Sequence, residues 1–312
     1  MAPKQKLVSI ALATFNGEKF LREQLDSIYD QTYKNIEIIV SDDCSSDETV
    51  EILNEYSKKF GLKYHINNKN IGFVKNFEAA ILKCKGEYIA LADQDDIWMP
   101  DKIERLVSEI EDYSLICSDA ELIDDNGNRI AESFQRYSRN YIADGKEFAI
   151  LVFRNFVTGC TALVTKDLIK RALPIPNGIH HHDWWLALIA SKTNGIKYMK
   201  APLIKYRQHQ NNDTGANKKI NTIQKINEFN LKKDKGKFRN EVINLEAMMA
   251  SDSFSKDEKV IINNRLIFYK NILNSKLHFK AFIIAFKYRN YMLAGRSLLY
   301  KIFFIIGSLI KN

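Results

Sequence analysis

Four cysteines, five prolines and thirteen glycines are few for 312 residues, and each scarcity removes a class of protein. Cys44, Cys84, Cys117 and Cys160 lie far apart with no C-x-x-C pair. Neither a disulfide framework nor a cysteine zinc site is indicated, and a reducing cytosol fits. Little proline and glycine beside 46% hydrophobic and 27% charged residues excludes collagen-like, mucin-like and disordered chains. No G-x-G-x-x-G follows the first strand signal and no G-x-x-x-x-G-K-[ST] occurs, so a nucleotide's phosphates would be held without a glycine-rich cradle. The N-terminal apolar run is short and lacks a cleavage pattern, so no signal peptide is expected. No apolar run reaches the ~20 residues of a spanning helix; the stretch 298–310 is thirteen residues long with Lys301 inside it.

Acidic residues are also missing in one place. Beyond Glu258 there are ten basic residues and no acidic one. The formal net charge of +8 is therefore uneven: residues 1–216 hold 27 basic and 31 acidic residues, a net of −4, while 217–312 hold 19 and 7, a net of +12. Nucleic-acid binding would need a basic body, which this chain lacks. The basic, aromatic and aliphatic tail fits either an anionic membrane surface, through an interfacial helix at 298–310, or packing on the body or on a second subunit as a homodimer.

The pattern present is that of an α/β protein. Apolar runs at 7–13, 36–40, 62–66 and 88–92 each precede a polar loop and then apolar residues at helical spacing, which predicts a mostly parallel central sheet flanked by helices. A helix is expected to open at Ile97-Trp98-Met99-Pro100-Asp101, a strand at 115–118, irregular chain over 133–145, and a helix over 183–189 directly after three histidines. Two strand signals, 196–198 and 203–206, close the body. A linker at 210–219 then separates a body of residues 1–215 from a mainly helical region, 216–312.

Two acidic clusters end strands. Asp93-Gln94-Asp95-Asp96 packs three carboxylates into four positions, an arrangement that is costly without a cation and suits Mg²⁺ or Mn²⁺ completed by substrate phosphate and water. Asp42-Asp43 ends the second strand, so both clusters fall on the sheet edge where ligands bind. A nucleotide-diphosphate sugar could be gripped between them. Three consecutive histidines point in different directions and make a poor metal site.

With Thr14-Phe15-Asn16-Gly17, Asp42-Asp43-Cys44-Ser45-Ser46-Asp47-Glu48-Thr49, Asn70-Ile71-Gly72, Asp93-Gln94-Asp95-Asp96-Ile97-Trp98 and His182-Asp183-Trp184-Trp185 in this order, the chain resembles the inverting family 2 glycosyltransferases of GT-A fold. It is most similar to the bacterial rhamnosyltransferase-like members that build cell-wall and surface polysaccharides. The resemblance covers roughly residues 6–210. It implies that Thr14, Asn16 and Glu18 line a nucleoside pocket, that Asp42 faces the base and that Asp93 approaches the ribose or donor sugar. It places Asp95 on the metal and Asp183 as the general base. Asp43, Asn76, Gly159 and Arg207 join the donor-binding set, with Arg207 able instead to secure the closing loop, and His209 can touch metal or phosphate. One of Trp184 and Trp185 is expected to stack on the acceptor sugar.

The activity so implied is metal-dependent, inverting transfer from a nucleotide sugar to a lipid-linked glycan, at the inner face of a bacterial cytoplasmic membrane. The donor is dTDP-L-rhamnose, a UDP-hexose or a UDP-N-acetylhexosamine. A nucleotidyltransferase would also use acids and a metal, but no glycine- and arginine-rich triphosphate loop is present. A nonenzymatic polysaccharide- or nucleic-acid-binding protein would rest on the tail alone.

Overall fold

The computed structural model describes residues 5–138, 141–209, 235–274, 279–296, 301–302 and 304–305. Strands β1 (Val8–Thr14), β2 (Ile36–Asp42), β3 (Lys63–Ile66) and β4 (Tyr88–Ala92) alternate with helices α1 (Leu21–Tyr29), α2 (Thr49–Phe60) and α3 (Phe73–Leu82). Both faces of β1 are covered, which is why its run is continuously apolar. Val8, Ile10 and Leu12 face one core with α1 and α2, while Ala11 faces a second core with Phe77, Ala80 and Ile81 of α3, the alternation that a strand's two-residue period imposes.

The sheet is mixed rather than mostly parallel. After the two-residue β5 (Ile97–Trp98) and α4 (Lys102–Glu109) come β6 (Leu115–Ile123), β7 (Arg129–Ala131), α5 (Phe134–Ser138), α6 (Phe148–Phe153), β8 (Ala162–Thr165), α7 (Lys166–Ala172), α8 (His182–Lys192) and β9 (Ile196–Arg207). The order is β3-β2-β1-β4-β8-β6-β9-β5, with β7 on β6. The pairs β1–β2, β1–β4 and β2–β3 are parallel, but β8 lies antiparallel to both β4 and β6. Its direction follows from its entry: the turn Gly159–Thr161 leads into β8 at the edge where β4 ends.

Three local expectations change. Residues 97–98 pair with Ile204 and Lys205 of β9 instead of opening a helix, because Met99 precedes a proline and is held extended; the helix starts at Lys102. Residues 134–138 form a short helix within the stretch read as irregular. The two late strand signals are one twelve-residue strand, pairing with β6 through register shifts and with β5 near its end.

Helices α9 (Lys235–Ala250), α10 (Lys256–Asn274), α11 (Phe279–Lys287) and α12 (Arg289–Met292) follow. Leu245, Met248, Ile262, Leu266, Phe268, Ile272, Ile284 and Ala285 share one apolar cluster with Trp184 and Trp185 of α8. Arg265, buried in α10, bonds the Val152 carbonyl of α6 and Glu241 of α9, and its guanidinium carbon lies 4.7 Å from the Trp184 ring centroid. The expected linker lies outside the described residues, as does all of 298–310 except residues 301–302 and 304–305. No helix among the described residues is long and apolar enough to cross a membrane.

Candidate active site

The loops after β1, β2 and β4 meet at one edge and are stitched together by polar side chains. Thr14 Oγ1 donates to Asp42 Oδ1 at 2.8 Å, and the Ser45 amide and hydroxyl donate to the same carboxylate at 2.9 and 2.6 Å. Asp42 is fully buried, so its acceptor capacity is spent on fixing two loops. Asp43 accepts from Asn67 Nδ2 (3.0 Å) and from the amides of Ile71 (2.8 Å) and Gly72 (2.9 Å), which shapes the loop before α3. Asn76 joins this frame through Asn67 and the Thr14 carbonyl.

Asn16, with φ of 47°, accepts from the Ser46 amide at 2.8 Å, and Glu18 accepts from the Glu48 amide at 2.8 Å. Gln94 makes two bonds to the backbone of Phe15, at 2.8 and 3.0 Å. A Cβ on Gly17 would meet the Gln94 side-chain amide, so the glycine leaves room for Gln94 to reach Phe15. Thr14, Asn16, Glu18, Asp42, Asp43 and Asn76 thus come together as a braced rim.

The acidic run sits beside it. Asp96 is fully buried, and its Oδ2 has no hydrogen-bond partner. Burial, then the Asp95 and Asp183 carboxylates, push Asp93 up to about 7. Burial followed by Asp95 and Asp93 holds Asp96 well above the usual carboxylate range. This crowding of negative charge around one point is what a bound cation would relieve.

Ligand atoms of Asp93, Asp96 and Cys160 lie within 4.8 Å of one another, a cluster able to coordinate a divalent metal. Asp95 Oδ2 meets His209 Nε2 at 2.7 Å on the more open side. Carboxylate oxygens with one imidazole suit Mg²⁺ or Mn²⁺.

Arg207, the last residue of β9, is 2% exposed. Its Nε donates to the Asp95 carbonyl (2.8 Å), its amide to Asp96 Oδ1 (3.0 Å) and its Nη1 to the carbonyls of Asp124 and Asp125; its Nη2 pairs with Glu23 of α1. The guanidinium carbon lies 4.4 Å from the Phe20 ring centroid. These contacts tie the acidic loop to its neighbours.

Asp183 stands in the first turn of α8. Its Oδ2 accepts from the Gly159 amide at 3.0 Å, and its Oδ1 accepts from Asn155 Nδ2 at 3.2 Å and from the Trp184 amide at 2.6 Å. A Cβ on Gly159 would lie 3.0 Å from His182 Nε2 and 3.5 Å from the Asp183 Cβ, so the bare glycine lets its amide reach the acid.

His182 is buried, stacks on Phe77 with centroids 3.9 Å apart, and is held down to about 4 by burial. It is a neutral support beneath Asp183. The three histidines do not converge, and both tryptophans are core residues. Trp184 Nε1 donates to the Leu151 carbonyl and Trp185 Nε1 to the Ala172 carbonyl, each at 2.7 Å, with both side chains almost fully buried. Neither ring offers an open face on which a sugar could stack. Their indoles fill the core between α8 and its neighbours.

Sequence reasoning missed Lys102. Fully buried, it donates from Nζ to the Cys160 carbonyl at 2.6 Å and sits 3.5 Å from the Trp98 ring centroid. Burial moves it down to about 7, against the opposing pull of Cys160, Asp96 and Asp93. One ammonium therefore links the acidic loop to the turn whose Gly159 amide holds Asp183. Its only signal was its position, the first cation after the acidic run.

The family model described as Glycosyl transferase family 2 matches residues 9–172. The dTDP-rhamnosyl transferase RfbG of Shigella flexneri is 32% identical over 272 residues, 82% of this chain and 88% of that protein. Two solved structures are similar in fold. S. aureus TarS 1–349 in complex with UDP-GlcNAc has a TM-score of 0.57 and 15% identity, covering 96% of this chain and 90% of that one. The mannosyltransferase PcManGT from Pyrobaculum calidifontis, in complex with GDP-Man and Mn²⁺, has a TM-score of 0.54 and 15% identity, covering 97% and 86%.

Proposed function

Since the chain belongs to glycosyl transferase family 2 and is a glycosyltransferase, we propose that it transfers a sugar from a nucleotide diphosphate to a glycan hydroxyl by a single displacement that inverts the anomeric carbon. The observation that carries this reading is the setting of Asp183. Its carboxylate is aimed by three N–H donors and lies close enough to Asp93 to raise that acid's proton affinity. The acid at the end of β4 and the acid at the start of α8 therefore border one space.

In this reading Asp183 takes the proton from the acceptor hydroxyl as its oxygen forms a bond to the anomeric carbon, and the bond to the diphosphate breaks on the opposite face. Asp95 and His209 would hold Mn²⁺ or Mg²⁺, which would offset charge on the leaving diphosphate. Asp93 meets the donor sugar or ribose. The rim built from Thr14, Asn16, Glu18, Asp42, Asp43 and Asn76 shapes the nucleotide pocket, and the Gly159 turn runs beneath the sugar. Arg207 keeps the acidic loop in register.

The first donor to test is dTDP-L-rhamnose, because the Shigella relative bears that activity in its name. The acceptor is a saccharide of bacterial surface-glycan assembly carried on a lipid. The deciding experiment measures protection from thermal unfolding and donor hydrolysis across dTDP-rhamnose, UDP-hexoses and UDP-N-acetylhexosamines, each with and without Mn²⁺. Metal-dependent protection by one donor class supports the reading, and no protection by any nucleotide sugar overturns it.

A further inference from the structure

Charge and shape combine on a second surface, far along the chain from the acids. Helix α11 buries Ala281, Ile284 and Ala285 in the second core and turns Phe279, Ile283 and Phe286 outward, 61%, 48% and 55% exposed. With 3.6 residues per turn these three fall within an arc of about 60°. Lys280 and Lys287 flank that arc on one side. On the other, the guanidinium carbon of Arg289 lies 4.7 Å from the Phe286 ring centroid. No acidic residue occurs from Lys259 to the end of the sequence.

A solvated helix face would carry polar residues here, and a core face would not be flanked by lysines. A second copy docked about a two-fold axis would set these cations against their own images, an arrangement that costs rather than helps. An anionic bilayer accepts both features at once: aromatic and branched side chains at the headgroup boundary, cations among the phosphates.

We propose that the outer face of α11 is a membrane-docking surface for anionic lipid. It differs from the stretch at 298–310 that the sequence singled out. Docking here needs neither donor nor metal, so its test does not depend on the transfer reading.

The experiment is cosedimentation of the full chain with vesicles of phosphatidylcholine alone and with about 30% phosphatidylglycerol, in low salt and at about 0.5 M salt. The expected result is binding to the anionic vesicles at least ~10-fold tighter than to the neutral ones, weakened by salt. The combined Phe279→Ser, Ile283→Ser and Phe286→Ser variant should lose at least ~10-fold in vesicle affinity. Its soluble donor hydrolysis and thermal transition should be kept. Lys280→Gln with Lys287→Gln, which leaves the apolar arc whole, should lose the preference for anionic lipid; if the triple variant fails to fold, this pair decides. Three outcomes overturn the proposal: no binding to anionic vesicles, unchanged lipid preference in the lysine pair, or a dimer by light scattering that the triple variant abolishes.

Discussion

The two halves of the sheet are built differently. In β3-β2-β1-β4 every pairing is parallel and β1, β2 and β3 are each followed directly by a helix, so the polar residues at the strand ends arrive together through local chain geometry. They are then consumed in holding one another, as the Thr14–Asp42 and Glu18–Glu48 bonds show. In β8-β6-β9-β5 the pairings are mixed and the partners distant in sequence. That half delivers single groups, Asp183 and His209, to the edge of the first. A stiff platform can shape a pocket, while single groups brought in from elsewhere can be changed without rebuilding it.

The strongest break in this contrast is Asp183→Asn. Transfer should fall by about 10²- to 10⁴-fold, while donor affinity, read by calorimetry, should hold within about twofold if the parallel half alone binds the nucleotide. A comparable loss of donor affinity would dissolve the division of labour. Lys102→Met should act on both halves, because Lys102 spans their seam. Losing the Nζ bond to the Cys160 carbonyl should lower stability in urea by about 1–3 kcal/mol, with Lys102→Arg recovering only part.

Metal should matter next. At a hundred times its dissociation constant a cation stabilises by about 2.7 kcal/mol. Asp93, pushed up to about 7, holds its proton below that pH in the metal-free fold. Its folded value lies above the unfolded one, so its contribution is present at low pH and lost as pH rises through about 7. The rise in melting temperature on adding Mn²⁺ should therefore be larger at pH 8 than at pH 5, and Asp95→Ala should abolish it.

The effect confined to acid pH concerns His182, held down to about 4 from 6.5. Here the stability is complete above pH 6.5 and lost as pH falls toward 4, with a ceiling of roughly 3 kcal/mol. A His182→Gln variant should show a shallower acid arm in pH-dependent melting.

The parallel half was legible because continuous apolar runs buried on both faces can be read from residue type alone. Strands β1, β2 and β4 and their polar ends fall where the pattern placed them. The mixed half was less so. Its strands are apolar too, but direction depends on where a long connection re-enters, and nothing within residues 162–165 says that they run against β4. Asp183 and His209 were reached through resemblance, and both lie beyond the residues of the family match. Lys102 was invisible because a lysine in an amphipathic helix ordinarily faces water; only the enclosing Trp98 ring and Cys160 carbonyl reveal its position. Tryptophans beside Asp183 suggested a sugar platform, but their N–H groups have carbonyl partners in the core.

The meeting of Asp95 and His209 has a consequence in time. The two are 114 positions apart, and the Arg207 clamp joins them only when the end of β9 is in place. During synthesis the acidic loop is complete long before its imidazole and its clamp have left the ribosome. An unfinished chain carries the acidic loop without the residues that close it, so the order of translation leaves this corner of the fold open until the sheet has its last strand.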